Sequence, residues 1–468
     1  MHRSYSKTLE EYPLLENKDL RKEITSLLTT GKFKIVILDD DPTGIQTVHD
    51  CLLITKWTEE NLTLALNDSV PFFYVLTNSR SLNAQDAKKI NEEIVHLVIH
   101  INRIYHYRLI FISRSDSTLR GHFPTEPDTI CSTIKQNGLT LNLPVFFVPA
   151  FLEAGRYTIA NIHYLQHNDS LIPVAETEFA QDNAFGYTNS LLPEYIIEKS
   201  AQTISEDCIG SLSIQELRNN SLDTIIEKIN NCKNLHYVII NAIDYEELQK
   251  FSIAILTVLK NHSSCLVLRT SSSLPKALSG IDDKSLLTKK EIITRSGTGI
   301  FIVGSHVKKT TLQLEKLLSN KKVSGVELNI HDILNDPGKL KEQTKKVIKE
   351  LVMKGITPVI FTSRDEMRFE KIKDRLLAGK KISAFMVNIV RELPFVPTYI
   401  VAKGGITSND ILTDGLNVES ARVLGQILTG VPAIVTGNDN KYPMLPYIIF
   451  PGNVGDEDSL LSVFEKLS

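Results

Sequence analysis

Short apolar runs that end in small or polar residues recur along the whole chain, with helix-patterned stretches between them. In the first half these runs are FKIVILD, PFFYVLT, YRLIFIS, PVFFVPA, LHYVIINA and SCLVLRT; in the second they are IFIVGS, GVELNI, TPVIFTS, PTYIVAKGG, VPAIVTG and YIIFPGN. Apolar runs of this length need burial on both faces, and helices such as KKTTLQLEKLLSN and LKEQTKKVIKELVMKG can cover them. The alternation predicts an α/β fold with mostly parallel sheets flanked by helices. At 468 residues the chain exceeds what one core usually serves, so two such domains are expected. Between residues 273 and 299 the strand pattern lapses into Ser, Gly, Lys and Asp. The expected organisation is therefore an N-terminal arm over 1–30, a first domain over 31–285, a linker over 286–299 and a second domain over 300–468.

Charge and composition exclude several classes of partner. A formal net charge of -3, with both signs spread along the chain, leaves no footprint for nucleic acid or for an anionic membrane. No apolar stretch approaches the roughly 20 residues that span a bilayer, and the mixed charges of the first 28 residues lack the apolar centre of a secretory signal. The five cysteines form no CxxC pair and suit a reducing compartment. The expectation is a cytoplasmic protein with a small-molecule partner, and the amphipathic arm suggests a homodimer.

In open α/β sheets functional groups collect at the carboxyl ends of strands. There the first domain offers two charged loops. ILDDDPTGIQT delivers Asp39, Asp40 and Asp41 from an apolar run into a turn that contains Thr43 and Gly44. Adjacent carboxylates repel, so the cluster calls for a compensating cation, a helix cap or a raised pKa. The same stretch also fits the D-x-D-x-T pattern of haloacid-dehalogenase-type phosphatases, with Asp39 as nucleophile and GDEDS at 455–459 as a distal acidic loop. SRSDSTLRGHFPTE then supplies Arg114, Asp116, Ser117, Thr118 and Arg120, two guanidiniums among hydroxyls. Such a loop can cradle a carboxylate, or can simply pair and cap itself.

The second domain offers three glycine-bearing turns between a strand and a helix. Gly304 and Ser305 form the first; Lys403, Gly404, Gly405, Ile406 and Thr407 form the second; Gly452, Asn453 and Gly455 form the third. One such turn is ordinary geometry, whereas three in one α/β unit point to a nucleotide phosphate site. Neither G-x-x-x-x-G-K-[ST] nor G-x-G-x-x-G occurs, which removes the conventional P-loop and the dinucleotide fingerprint.

Taken in order, DDDPTGIQT, RSDSTLRG, IVGSHVKKTTLQL, KGGITSND, VLGQILTGVP and FPGNVGD resemble the four-carbon acid sugar kinase family, the YgbK-like or DUF1537 proteins. The resemblance implies an N-terminal acid-sugar-binding domain, a C-terminal ATP-binding domain and an active site in the cleft between them. It further implies ATP- and Mg2+-dependent phosphorylation of a hydroxyl on threonate, erythronate, 3-oxo-tetronate or a related branched 3-oxo acid. The family's aspartate pair falls on Asp40 and Asp41, with Thr43 and Gly44 after it, and its DSTLRG falls on Asp116 to Gly121. On this reading Arg120, with Ser117 and Arg114, holds the substrate carboxylate, and Asp41 or Asp40 acts on the reacting hydroxyl. Gly304, Ser305, Gly404 to Thr407, Gly452, Asn453 and Gly455 hold ATP. Asp39 and Ile406 stand where relatives often carry a small and an acidic residue, respectively. A non-catalytic sugar-acid sensor is the further alternative.

Overall fold

The computed structural model describes residues 2–13, 20–261, 264–364, 372–438 and 440–468, with side chains left aside over 372–376. Parts of the expected arm, residue 1 and residues 14–19, lie outside the described residues. The chain divides into two compact units, residues 1–283 and 284–468.

The first unit is built on eight parallel strands in the order Ile209–Leu212, Tyr237–Ile240, Val145–Val148, Leu266–Thr270, Arg108–Arg114, Phe33–Asp39, Phe72–Leu76 and Leu52–Ile54. Every residue of Phe33–Asp39 is buried, as a mainly apolar run between two sheet neighbours requires, and the buried Lys34 donates to the Asp68 and Val70 carbonyls at 2.7 and 2.8 Å. Asp39 lies level with Leu76 on one neighbour and Arg114 on the other, and Arg114 lies level with Thr270. The charged loops therefore leave the sheet side by side. Helix Ala84–Tyr105 starts where the Asn83 side chain accepts from the Asp86 amide, and it buries Ile94, Val95 and Val98 in the core with Phe73 and Phe111.

A second, antiparallel sheet in this unit runs in the order Arg3–Ser4, Ser170–Pro173, Ile162–His167 and Arg156–Ile159. The sequence reading contains neither this sheet nor the short strands 52–54 and 209–212. Within the arm, helix Arg21–Thr30 buries Ile24 and Leu28, and the Thr25 hydroxyl donates to the Gly280 carbonyl at 3.3 Å. The apolar face of this helix is thus packed inside the first unit.

The second unit orders its strands Ser420–Leu428, Val431–Thr436, Pro446–Phe450, Ile400–Lys403, Ile300–Val303, Thr357–Thr362 and Val323–Leu328. The last five run parallel, while the first two form an antiparallel hairpin. Ser420–Leu428 went unread because its alternate positions are Arg422, Leu424, Gln426 and Leu428, only half buried, so the run is broken by polar residues. Among the described residues no helix is long and apolar enough to cross a membrane. None of the five cysteines is in a disulfide.

Candidate functional site

The three aspartates of the first unit occupy three different environments. Asp39, the last residue of its strand, is fully buried and accepts from Arg114 Nη1 at 3.1 Å through Oδ1. Its Oδ2 has no hydrogen-bond partner, and a side chain at Gly44 would meet that oxygen at 1.9 Å. Burial, with help from the Asp40 and Asp41 charges, outweighs Arg114 and pushes the Asp39 carboxyl up to about 7. Asp40 is 1% exposed; Arg80 grips it at 2.5 and 3.2 Å through Nη2 and Nε, and the Ser115 hydroxyl donates to it at 2.5 Å. Only Asp41 faces partly outward, with a side chain 22% exposed. Burial would raise its pKa, but Arg80 Nη1 at 3.2 Å and the Thr43 amide and hydroxyl at 2.8 and 2.5 Å hold it below the usual carboxylate range.

Asp39 thus lies closed under the Gly44 turn and does not present itself as the nucleophile of a phosphatase. Asp40 is likewise committed on both oxygens, which departs from the expectation that it shares the base role. Arg114 is buried between Asp39 and the Ser272 hydroxyl at 2.8 Å and braces the aspartates, rather than standing ready for a substrate carboxylate.

The protonation of Asp39 carries a pH signature. A carboxyl whose folded pKa exceeds its unfolded value of about 3.9 binds more protons folded than unfolded between those two values. Its contribution to stability is present at low pH and is lost as the pH rises from about 4 through about 7. Asp39→Asn is expected to remove that downward slope, measured as urea unfolding free energies of both proteins between pH 4.5 and 7.5. Equal slopes would refute it.

Arg80, which the sequence reading did not single out, is the hub of the cluster. It follows strand Phe72–Leu76, and Asn78 ahead of it adopts a left-handed conformation with φ 49°, tolerated by Asn, that turns the chain back over the aspartates. Besides Asp40 and Asp41 it lies 4.0 Å from Asp116. Asp116 accepts from Arg120 Nε at 2.8 Å and from the Thr118 hydroxyl; burial is outweighed by Arg80 and Arg120, and its pKa is depressed well below the carboxylate range. The loop carbonyls are held from outside: Ser117 by His163 Nε2 at 2.8 Å, Thr118 by the Tyr187 hydroxyl at 2.7 Å and Leu119 by the Tyr195 hydroxyl at 2.8 Å. The polar stretch 175–190 therefore belongs to the rim of this cluster. From it Phe179 stacks on the Arg120 guanidinium at 5.0 Å, and Asp182 lies 3.7 Å from Arg120 Nη1.

In the second unit the three glycine turns follow three adjacent parallel strands. Val303 is level with Lys403, and Lys403 with Phe450. The Gly304 and Ser305 amides donate to the Lys403 carbonyl at 3.2 and 3.3 Å, and the Gly404 amide donates to the Phe450 carbonyl at 2.8 Å. Thr310 ties the first turn to the third, donating to the Ser305 hydroxyl and the Gly452 carbonyl, both at 3.1 Å. Lys309 Nζ reaches the Asn453 carbonyl at 3.2 Å. A Cβ on Gly304 would strike the Thr407 hydroxyl at 2.0 Å, and one on Gly404, whose φ is +116°, would lie 3.2 Å from Ser305 Cβ. Bare backbone is thus needed where the turns meet, as a phosphate cradle requires. Gly455, at φ +82°, ends the third turn against Ser459, and Gly405 opens onto free space. Ile406 is 71% exposed.

Lys403 departs from its expected contact with the nucleotide. It is fully buried, with Nζ donating to the Pro451 carbonyl at 2.7 Å and lying 3.9 Å from the Phe450 ring, so it clasps the third turn to the second. Burial, aided by the Lys309 charge, lowers its pKa to about 7. Arg364, absent from the sequence reading, donates to the Ser305 carbonyl of the first turn.

Residues 35–278 match the family described as the sugar-binding N-terminal domain, and residues 300–460 match the nucleotide-binding C-terminal domain. A crystal structure of a DUF1537 protein from Haemophilus influenzae is similar over 92% of this chain and 100% of its own, with a TM-score of 0.67 at 16% identity. A Salmonella typhimurium LT2 protein, provisionally described as a tRNA synthase, gives the same TM-score and identity over 92% of this chain and 98% of its own. At that identity the likeness concerns the fold alone. None of the curated proteins compared with the chain matches it. With a sugar-binding domain over its first half and a nucleotide-binding domain over its second, the chain belongs to the four-carbon acid sugar kinase family, the DUF1537 proteins.

Proposed function

We propose that the protein transfers the γ-phosphate of ATP to a hydroxyl of a small sugar acid, with threonate, erythronate, 3-oxo-tetronate or a related branched 3-oxo acid as the substrate class. The observation that carries this reading is the division of chemistry: an acid–guanidinium cluster in the sugar-binding domain and three interlocked glycine turns in the nucleotide-binding domain. Phosphoryl transfer asks mainly for positioning and charge stabilisation. Asp41, held ionised and partly exposed, orients the reacting hydroxyl and takes its proton. Arg80 and Thr43 fix the Asp41 rotamer through both carboxylate oxygens. Arg120 offers its guanidinium to the substrate carboxylate.

The backbone of Gly304, Ser305, Gly404, Gly405, Gly452 and Asn453 holds the phosphates, and the glycine contacts fit that role because a side chain would fill the cradle. Mg2+ bound with ATP would supply neutralisation of phosphate charge. An L-residue forced into the backbone conformation of Gly404 costs about 1–3 kcal/mol. Gly404→Ala is therefore expected to weaken ATP binding about 5- to 150-fold. Calorimetric titration with ATP checks it, and unchanged affinity would remove the second turn from the site.

Coupled assays of purified protein with ATP and a panel of four-carbon and branched sugar acids test the reading as a whole. Turnover of one acid is expected. Failure on all of them, together with no ATP binding by calorimetry, would overturn it, and sugar-acid binding without turnover would favour a sensor.

A further inference from the structure

Beside the Asp116–Arg120 loop stands a second guanidinium that no part of the mechanism above uses. Arg156 opens the strand Arg156–Ile159 of the small antiparallel sheet. Its backbone is pinned on both sides: its amide donates to the Phe151 carbonyl at 2.9 Å, and its carbonyl accepts from the Phe151 amide at 3.1 Å. Gly155 before it takes φ +70° to close that turn. Arg156 and Thr158 share one face of the strand by their alternation, and on the neighbouring strand Thr158 is level with His163. Thr158 bonds His163 Nδ1 at 2.9 Å, and His163 Nε2 bonds the Ser117 carbonyl at 2.8 Å. That face is thus the one laid against the Asp116–Arg120 loop.

Arg156 has no carboxylate of its own. Among the described residues none lies within ion-pair distance of it. The acid nearest in sequence, Glu153, is taken by Ser273 at 2.9 Å, Lys276 at 3.5 Å and the Tyr245 hydroxyl. The side chain of Arg156 donates to the Ala154 carbonyl, while its Nε is buried without a partner. Burial lowers its pKa, Asp116 opposes that, and the Arg120 charge adds to it, which places both groups within electrostatic reach of Arg156. A half-buried cation beside a second cation is costly unless an anion joins them.

We infer that Arg156 is a substrate-binding residue that shares the carboxylate of a hydroxy acid with Arg120, so that the site selects aldonates over the corresponding neutral polyols. This rests on the sugar-acid reading of the first unit and on nothing in the second. Loss of a charge-assisted hydrogen bond is worth about 1.5–3 kcal/mol, or about 10- to 150-fold in affinity.

The test is calorimetric titration of the full chain with threonate, erythronate and threitol, without ATP. Wild-type protein is expected to bind at least one of the acids and not threitol. Arg156→Met is expected to lose about 10- to 150-fold in affinity for that acid, and Arg156→Lys to recover part of it, with thermal melting of both variants unchanged. Acid binding equal in wild type and Arg156→Met, binding of threitol as strong as of the acids, or no binding of either acid by the wild type would each overturn the inference. Binding that follows this pattern in a protein without turnover would leave the inference standing and overturn the kinase reading. Should Arg156→Met melt early, Arg156→Gln takes its place, with the same expected loss of acid affinity, and acid binding equal to wild type in a Gln variant that melts normally overturns the inference.

Discussion

Asp41→Asn is expected to lower kcat for the sugar acid by about 10²- to 10⁴-fold, the span of general acid–base assistance, while ATP affinity stays within about twofold. The substitution keeps the size of the side chain and one oxygen for Thr43, so folding is not the quantity being changed. It removes the charge that orients the hydroxyl and the site for its proton. Because the Asp41 carboxyl is held below the usual range, activity should not fall off near pH 5 through loss of this group, and the acid limb of the rate profile should lie lower. Steady-state kinetics from pH 5 to 9 provide both readings. A kcat within threefold of the wild type would move the base role elsewhere.

Arg80→Met is expected to destabilise the first unit by about 3 kcal/mol, the low end for breaking a buried ion pair, since the side chain is 20% exposed. Three carboxylates, Asp40, Asp41 and Asp116, lose their common cation at once. Arg80→Lys should recover little of this, because an ammonium cannot reproduce the two-point grip on Asp40 while also reaching Asp41. Denaturant unfolding followed by circular dichroism measures both variants. A change below about 0.5 kcal/mol, the size of ordinary surface substitutions, would show that Arg80 is not the hub.

Most of the parallel strands were legible in the sequence because each is an apolar run buried on both faces, and the loops at their ends carried the chemical signal. Two of the features that escaped did so for different reasons. Strand Ser420–Leu428 alternates buried and half-buried positions with Arg422 and Gln426 among them, so its hydrophobicity is diluted below that of a core strand. Arg80 escaped for a different reason. TNSRS is an unremarkable polar loop, and only the pairing of Phe33–Asp39 between Phe72–Leu76 and Arg108–Arg114 brings it over the aspartates. The same pairing reassigned residues that the sequence did reveal. Asp40 and Arg114 have the right chemistry for a substrate site, but burial and satisfied partners make them supports, a distinction set by depth rather than by residue type.

The strand order of the first unit bears on how the chain matures during synthesis. Leu266–Thr270 is inserted between Val145–Val148 and Arg108–Arg114, so the central seam of the sheet is filled by almost the last residues of that unit to leave the ribosome. Until residue 270 has emerged, the nascent chain holds two half-sheets whose inner edges present unpaired amides and carbonyls, the exposure that invites mispairing. Arg114 also waits for Ser272 before its guanidinium is braced against Asp39. Fragments that stop short of this strand should thus require chaperones to stay dispersed, and competence to bind a ligand should appear abruptly as the seam closes.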